Sequence, residues 1–549
     1  MVDTIILNAR IRPMSQSAGV GYAVETAVAI SDGRIVSVGR DKEVLALAQS
    51  TTHIIDAVGA VLTPGLIDSH MHPVWGTELT VGLDLGGLTT LNQVREALGA
   101  FSVNLPPGAW IRGWNLDYKA FDATGIRGDL FEEAAAGRPL ALVFYDLHTG
   151  LANAAAMEAA NINGSETFSD ASEIVVGPDG KPTGELREIP AYMRLLDAAP
   201  DQENGNLAER VRRTLLRSAA SGVTSAAVMD GRPATFQTLD AVEQLPGGLP
   251  VRLHLGLWHQ PGDDDAAVEE RLRLRGRCGR GYPGGPRYQV SMIKMFIDGV
   301  IDNGTAWLHE PDTEGDSSSP FWHSVGRYEE VCRAYHHAGY QLATHSCGDA
   351  GVAQAVSVYR SLDGPTGPAH SLKGTPHRVE HLETLTDEDV AALADTGVVA
   401  SMQPLHMQWR EGDNSDSFAA RLGSERVAHA YRVKDILDAG GRVVLGSDWP
   451  VAQQDARVGM AWARLRREPG NPEAPVFEPR QRLSGQETLL AYTRWAAEAL
   501  GHGDLGVIAP GAIADLTLWE EDPLTADADQ LVNLPVRLTM LGGAPVYHS

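Results

Sequence analysis

Apolar runs of strand length recur through the middle of this chain with helix-length stretches between them, the patterning of a parallel α/β architecture. In order they are Leu62 to His70, Val223 to Met229, Val251 to Trp258, Val290 to Phe296, Gln341 to His345, His377 to His381, Val398 to Met402 and Arg442 to Gly446. Eight such strands predict a (β/α)8 TIM-like barrel. One interval breaks the rhythm, because the chain between His70 and Val223 is far longer than the roughly thirty residues of a barrel unit. The excess reads as an inserted α+β domain over residues 76–215. It has strands at Leu140 to Tyr145 and Ile174 to Val176, a Pro106-Pro107-Gly108 turn and an Ala-rich helix from Asn153 to Ala160.

The two ends carry shorter β patterns. Thr4 to Leu7, Ala27 to Ser31 and Ile35 to Val38 flank an Asp32-Gly33 turn, a hairpin signal. Strands are also expected at Gly506 to Ile508, Leu516 to Trp519, Pro535 to Met540 and near Val546. A small β-sandwich built from both chain ends is therefore expected. Its parts are residues 1–61 and, with a helix, 491–549. The barrel takes 62–75 for its first strand and 216–490 for the remainder.

Composition narrows the function classes. A hydrophobic fraction of 43% with 21% charged residues suits a buried core and argues against disorder. The net charge of -26 argues against a nucleic-acid partner, since phosphate binding needs a basic surface. The one basic run, Arg271 to Arg277, follows the acidic stretch Asp263 to Glu270, an order that complements a single helix dipole. Three scattered cysteines (Cys278, Cys332, Cys347) make no disulfide framework, and no segment reads as a signal peptide or membrane span. A cytoplasmic protein with a small-molecule substrate and no membrane partner is the expectation.

Candidate chemistry falls at the C-terminal ends of the expected strands, where barrel enzymes place active sites. His70 and His72 end the first strand, on one face if it is extended, within reach of one metal ion. Lys294 lies in the fourth strand, His345 and His381 end the fifth and sixth, and Asp448 follows the eighth. Trp75, Trp258, Trp307, Trp409 and Trp449 follow strands one, three, four, seven and eight, and would give an apolar or aromatic mouth. No arginine stands directly beside these motifs to grip an anion, which favours an apolar amide.

The chain resembles the metal-dependent amidohydrolase superfamily, in particular its family-3 branch, which includes the N-substituted formamide deformylases. The resemblance runs nearly the whole length. It rests on Pro64-Gly65-Leu66-Ile67-Asp68-Ser69-His70-Met71-His72, Lys294-Met295-Phe296-Ile297-Asp298-Gly299, His345-Ser346-Cys347-Gly348-Asp349, Arg378-Val379-Glu380-His381, Ser401-Met402-Gln403-Pro404-Leu405-His406 and Gly446-Ser447-Asp448-Trp449-Pro450-Val451. Asp146-Leu147-His148-Thr149-Gly150 in the insert and Leu505 to Leu516 near the end match as well. Ser346 and Cys347 depart from the small apolar pair usual in that branch.

That resemblance implies a centre of zinc or a similar divalent ion. His70, His72 and Asp448 would hold one ion, His345 and His381 a second, and a carboxylated Lys294 would bridge them. A protonated lysine has no lone pair to offer, so Lys294 is carboxylated or is not a ligand. Unmodified, it would leave a single-metal site of His70, His72 and Asp448. Amide hydrolysis by metal-activated hydroxide would follow, with Asp448 as general base. His148, His406, Trp75, Trp307 and Trp449 are candidate substrate contacts, and Cys347 reads as buried filler. Relatives suggest a homodimer. Two alternatives stay open: the same scaffold acting on an ester, lactone, cyclic amide or amino-heterocycle, and a metal-stabilised regulatory or binding protein without turnover.

Overall fold

The structure is a computed structural model that describes residues 1–15, 20–121, 125–200 and 206–549. Eight parallel strands form its centre: β1 (Leu66–Met71), β2 (Val223–Gly231), β3 (Arg252–His259), β4 (Tyr288–Phe296), β5 (Gln341–Ser346), β6 (Arg378–His381), β7 (Val399–Met402) and β8 (Arg442–Leu445), paired in sequential order. The sheet curls until its edges meet. Beyond β8, the Asp448 amide donates to the His70 carbonyl at 2.7 Å, and the His72 amide to the Trp449 carbonyl at 2.9 Å. Gly446 permits this approach, because a Cβ there would stand 2.5 Å from the His70 nitrogen. A TIM-like barrel results, as the eight apolar runs predict.

Strand alternation sorts the side chains. Ile293 and Met295 of β4 join the outer core with Tyr328 and Val331 of the helix Val325–His337. Met292 and Lys294 take the other face, as do Ala343 and His345 of β5. Ala496, Ala497 and Leu500 pack with Ile67, Val399 and Val444, filling the barrel from below and leaving the C-terminal rim as its open end.

The expected first strand divides in two. Val61–Pro64 pairs with Arg10–Ile11 and Leu516–Trp519, and only Leu66–Met71 enters the barrel. The chain changes sheets at Gly65, where a Cβ would collide with the Thr224 hydroxyl at 2.1 Å. An unbroken apolar run conceals this change because both halves are buried.

Residues from both chain ends meet in two sheets. One has the order Arg34–Gly39, Ala27–Ser31, Thr4–Leu7, His53–Asp56. The other runs Arg10–Ile11, Val61–Pro64, Leu516–Trp519, Val536–Leu541, Ala544–His548. Ile6, Val28 and Ile30 of the first share a buried cluster with Leu62, Leu516 and Leu538 of the second. Gly506 to Ile508, expected as a strand, forms none; the Ile508 amide donates to the Pro13 carbonyl instead.

Between β1 and β2 lies a six-stranded sheet ordered Glu173–Val176, Pro182–Arg187, Thr149–Ala152, Leu140–Phe144, Ile111–Leu116, Leu83–Asp84. Its turn from Tyr145 to His148 reaches the barrel rim, so this segment supplies part of the cavity wall. Among the described residues, no helix is long and apolar enough to cross a membrane.

Candidate active site

A chamber opens at the C-terminal rim of the barrel. On its floor, ligand atoms of His70, His381 and Asp448, all buried, lie within 4.8 Å of one another. Asp448 is the hub. Its Oδ1 stands 3.1 Å from Nε2 of His72 and 3.4 Å from Nε2 of His70, while Oδ2 stands 3.7 Å from Nδ1 of His381 and 3.6 Å from Nε2 of His406. The His345 ring adjoins that of His381, their centroids 4.3 Å apart.

Two of the rings, His70 and His345, are turned by partners behind them. Nδ1 of His70 donates to Glu380 at 2.7 Å, leaving Nε2 as the lone-pair atom facing Asp448. Glu380 is itself held by Arg378, at 2.5 Å and 3.0 Å. Burial opposes charge on Glu380, but Arg378 and His70 outweigh it and hold the carboxyl well below its ordinary range. Nε2 of His345 faces the Gly299 carbonyl at 3.1 Å, so a proton there leaves Nδ1 free to ligate. By alternation His381 would point away from Glu380, out of the barrel. Its φ of 80°, followed by 50° at Leu382, swings it back to the floor, and Asp448 also sits at a positive φ of 56°. Three non-glycine residues in this costly region at one rim are strain concentrated at a functional site.

Burial, reinforced by Lys294, pulls His70 down to about 4, and burial also lowers His345 and His381, so these rings are neutral at pH 7. Nε2 of His70 and Oδ1 of Asp448 are buried without a hydrogen bond. Neutral imidazole nitrogens and a carboxylate converging by their lone pairs repel unless a cation lies among them, and nitrogen with oxygen donors suits zinc or a similar ion. Lys294 is buried at the same floor, and desolvation lowers its amine to about 8.

The walls come from further away. His148 approaches His345, ring centroids 5.0 Å apart, and Nδ1 of His148 lies 2.6 Å from Glu188. Glu188 also accepts from Thr305 and Asn303. Burial disfavours charge on His148, yet Glu188 outweighs it and lifts the imidazole to about 9. His406 stands between two carboxylates, its Nδ1 3.6 Å from Glu383 and its Nε2 3.6 Å from Asp448. Trp75 lines the chamber with Trp258 edge-on behind it, and Trp409 lines it stacked on Tyr145 at 4.3 Å. Trp307 and Trp449 do not line it; Trp449 faces a neighbouring cavity. Cys347 does, and burial raises its thiol, which stays protonated and poorly nucleophilic.

Residues 53–547 match the model of the amidohydrolase family. The chain belongs to that family. It is an amidohydrolase, a hydrolase acting on carbon–nitrogen bonds. Over its full length it is 26% identical to the N-substituted formamide deformylase of Arthrobacter pascens, covering 98% of that protein. Two solved structures show the same fold. One is an uncharacterized metal-dependent hydrolase from Pyrococcus horikoshii OT3, with a TM-score of 0.71, 20% identity and coverage of 96% of this chain and 99% of that one. The other is atrazine chlorohydrolase TrzN from Arthrobacter aurescens TC1 complexed with zinc, at 0.53, 17%, 99% and 94%.

Sequence reasoning missed the residues behind the floor of this amidohydrolase. Glu380 belongs to the motif Arg378-Val379-Glu380-His381, yet only the turn at His381 shows that both residues face inward. Glu188 and Glu383 pair with histidines across loops, and Asp298, fully buried, gathers the amides of Trp307, Cys347 and Gly348. Two arginines correct the expectation that none stands directly beside the ligand motifs: Arg378 belongs to the motif of His381 but is engaged by Glu380, and Arg410 lines the chamber with its side chain turned to Asn414 and Asp416.

Proposed function

We propose that this amidohydrolase cleaves the carbon–nitrogen bond of a small, largely apolar N-substituted amide, an N-substituted formamide first, at a divalent-metal centre. The observation that carries the reading is the buried convergence of His70, His381 and Asp448 on the chamber floor, where Nε2 of His70 and Oδ1 of Asp448 have no hydrogen-bond partner. In this reading His70, His72 and Asp448 would hold one ion, His345 and His381 would hold a second, and a carboxylated Lys294 would serve both. Lys294 suits that role, since a buried amine near 8 has an appreciable neutral fraction, the form that attacks carbon dioxide. Zinc is the first metal to test. When bound, such an ion supplies hydroxide at neutral pH and polarises the scissile carbonyl.

The chain's own groups do the rest. Asp448 takes the proton of the attacking water and returns it to the leaving nitrogen, without which an amine departs poorly. His406 stands between Glu383 and Asp448, and Glu188 holds His148 over His345, so both imidazoles face the place where the carbonyl oxygen gains charge. Trp75, Phe296 and Trp409 give the N-substituent an apolar, aromatic wall. We read residues 76–215 as an insertion that supplies His148, and the sheets from both chain ends as a separate unit away from the rim.

The test is incubation of zinc- and bicarbonate-supplied protein with N-benzylformamide, quantifying formate and benzylamine beside Asp448→Asn. Equal formate and amine from the unmutated protein alone support the reading. Absence of both, with zinc bound, overturns the formamide assignment and directs the search to esters, lactones and cyclic amides.

A further inference from the structure

Beside the chamber lies a second cavity, and the two share Tyr145, Trp409 and Val451. The shared wall is a stacked pair, with the Tyr145 and Trp409 rings 4.3 Å apart and inclined by only 6°. Beyond it the outer cavity is bounded by two more indoles. Trp114 comes from the strand Ile111–Leu116 of the inserted sheet, and Trp449 from the loop that carries Asp448. Gly76 gives Trp449 its seat, because a Cβ there would stand 2.8 Å from the indole Cζ3. Trp449, one residue from the base and expected in the chamber, thus lines the outer cavity and not the chamber.

The polar groups of this compartment have one sign. Asp84 and Asp117 line it with Asn115, Gln408 and Gln453, and among the described residues no lysine, arginine or histidine does. Asp84 is placed by Asn115, whose amide donates to it at 3.1 Å, and by the Gly86 amide at 2.9 Å. Aromatic faces with carboxylates at the edge receive a flat ring that is neutral or cationic, and disfavour an anionic one.

We propose that the outer cavity is a second substrate subsite, which takes an aromatic ring at the far end of the N-substituent. The proposal rests on the amide-hydrolase reading and narrows its substrate class to elongated diaryl or aryl-alkyl amides without a distal carboxylate. The reacting amide sits over the chamber floor, the linker passes the Tyr145–Trp409 pair, and the distal ring lies between Trp114 and Trp449. Trp114 is a specificity residue here, remote from the reacting atoms.

The experiment compares three substrates: N-benzylformamide, N-(4-phenylbenzyl)formamide and its 4′-carboxylate. In the unmutated protein the neutral diaryl compound should show the lowest KM and the carboxylate the highest. Trp114→Ala should raise KM for the diaryl compound about tenfold, leaving kcat and the N-benzylformamide kinetics unchanged, and Trp114→Phe should restore most of the loss. Asp84→Asn should lower KM for the carboxylate alone. Equal effects of Trp114→Ala on the short and long substrates would overturn the subsite. If no formamide is turned over, the hydrolytic reading has failed independently. Calorimetric titration with 4-phenylbenzylamine then decides: binding that Trp114→Ala weakens about tenfold upholds the subsite, and absent or unchanged binding overturns it.

Discussion

Glu380→Gln is the most informative single substitution, because it changes one charge and almost no volume. The carboxylate accepts three N–H groups, from Arg378 at 2.5 Å and 3.0 Å and from His70 at 2.7 Å. A carboxamide has one oxygen, so its NH2 must confront either the guanidinium or Nδ1 of His70. Facing His70, it donates to Nδ1 and drives the imidazole proton onto Nε2, the atom aimed at Asp448. A partner behind a metal-ligating histidine is worth about 10- to 100-fold in metal affinity, or about 1.4 to 2.8 kcal/mol. Removing one member of a buried ion pair costs about 3 to 5 kcal/mol of stability. Arg378 keeps the Ser69 carbonyl and the Ser401 hydroxyl, so the loss should fall at the lower end. Competition titration with a zinc chelator reads the first quantity, and urea unfolding of metal-free protein reads the second. Zinc affinity within twofold of the unmutated protein, with an unchanged urea midpoint, would refute the role of Glu380.

Other outcomes follow from the same contacts. Gly446→Ala should destabilise by about 1 to 3 kcal/mol or more and impair zinc binding, since its Cβ meets the His70 backbone where β8 closes on β1; thermal melting and zinc content check this. Lys294→Ala should reduce tightly bound zinc from a pair of ions to a single ion by elemental analysis, and a pair retained would remove the bridging role. His148 in the folded protein titrates at about 9, above its ordinary 6.5, so the His148–Glu188 pair adds stability that is complete below pH 6.5 and lost as pH rises through 9. Urea midpoints should therefore converge for the unmutated protein and His148→Gln as pH rises from 6 to 10, and a constant gap would contradict the assignment.

Much of the barrel is legible because its strands are buried on both faces and read as unbroken apolar runs, from Val223 to Met229 through Arg442 to Gly446. The same property hides boundaries. Leu62 to His70 reads as one strand, and the change of sheets at Gly65 is set by Thr224, a residue distant in sequence. At the rim, local spacing and motif resemblance point to His70, His72, Lys294, His345, His381 and Asp448; the last five line one chamber, and a ligand atom of His70 lies within 4.8 Å of those of His381 and Asp448. The groups behind them are set by tertiary geometry that no local pattern records. Glu380 reaches His70 across the barrel, Glu188 meets His148 within the insert, and the positive φ at His381 overrides strand alternation. Tryptophans were the least legible. Trp75 and Trp409 enter the chamber, Trp258 backs it, Trp449 leaves it for the second cavity, and Trp114, in the insert, was not anticipated.

The central claim is that hydrolysis depends on a divalent ion held by the floor of this chamber. Formate release from N-benzylformamide should be measured after exhaustive chelation and then during stepwise return of zinc in bicarbonate buffer, with bound metal counted at each step. The account predicts loss of activity on chelation, recovery in proportion to bound zinc, and no recovery in Asp448→Asn. Full activity in metal-free protein would contradict it.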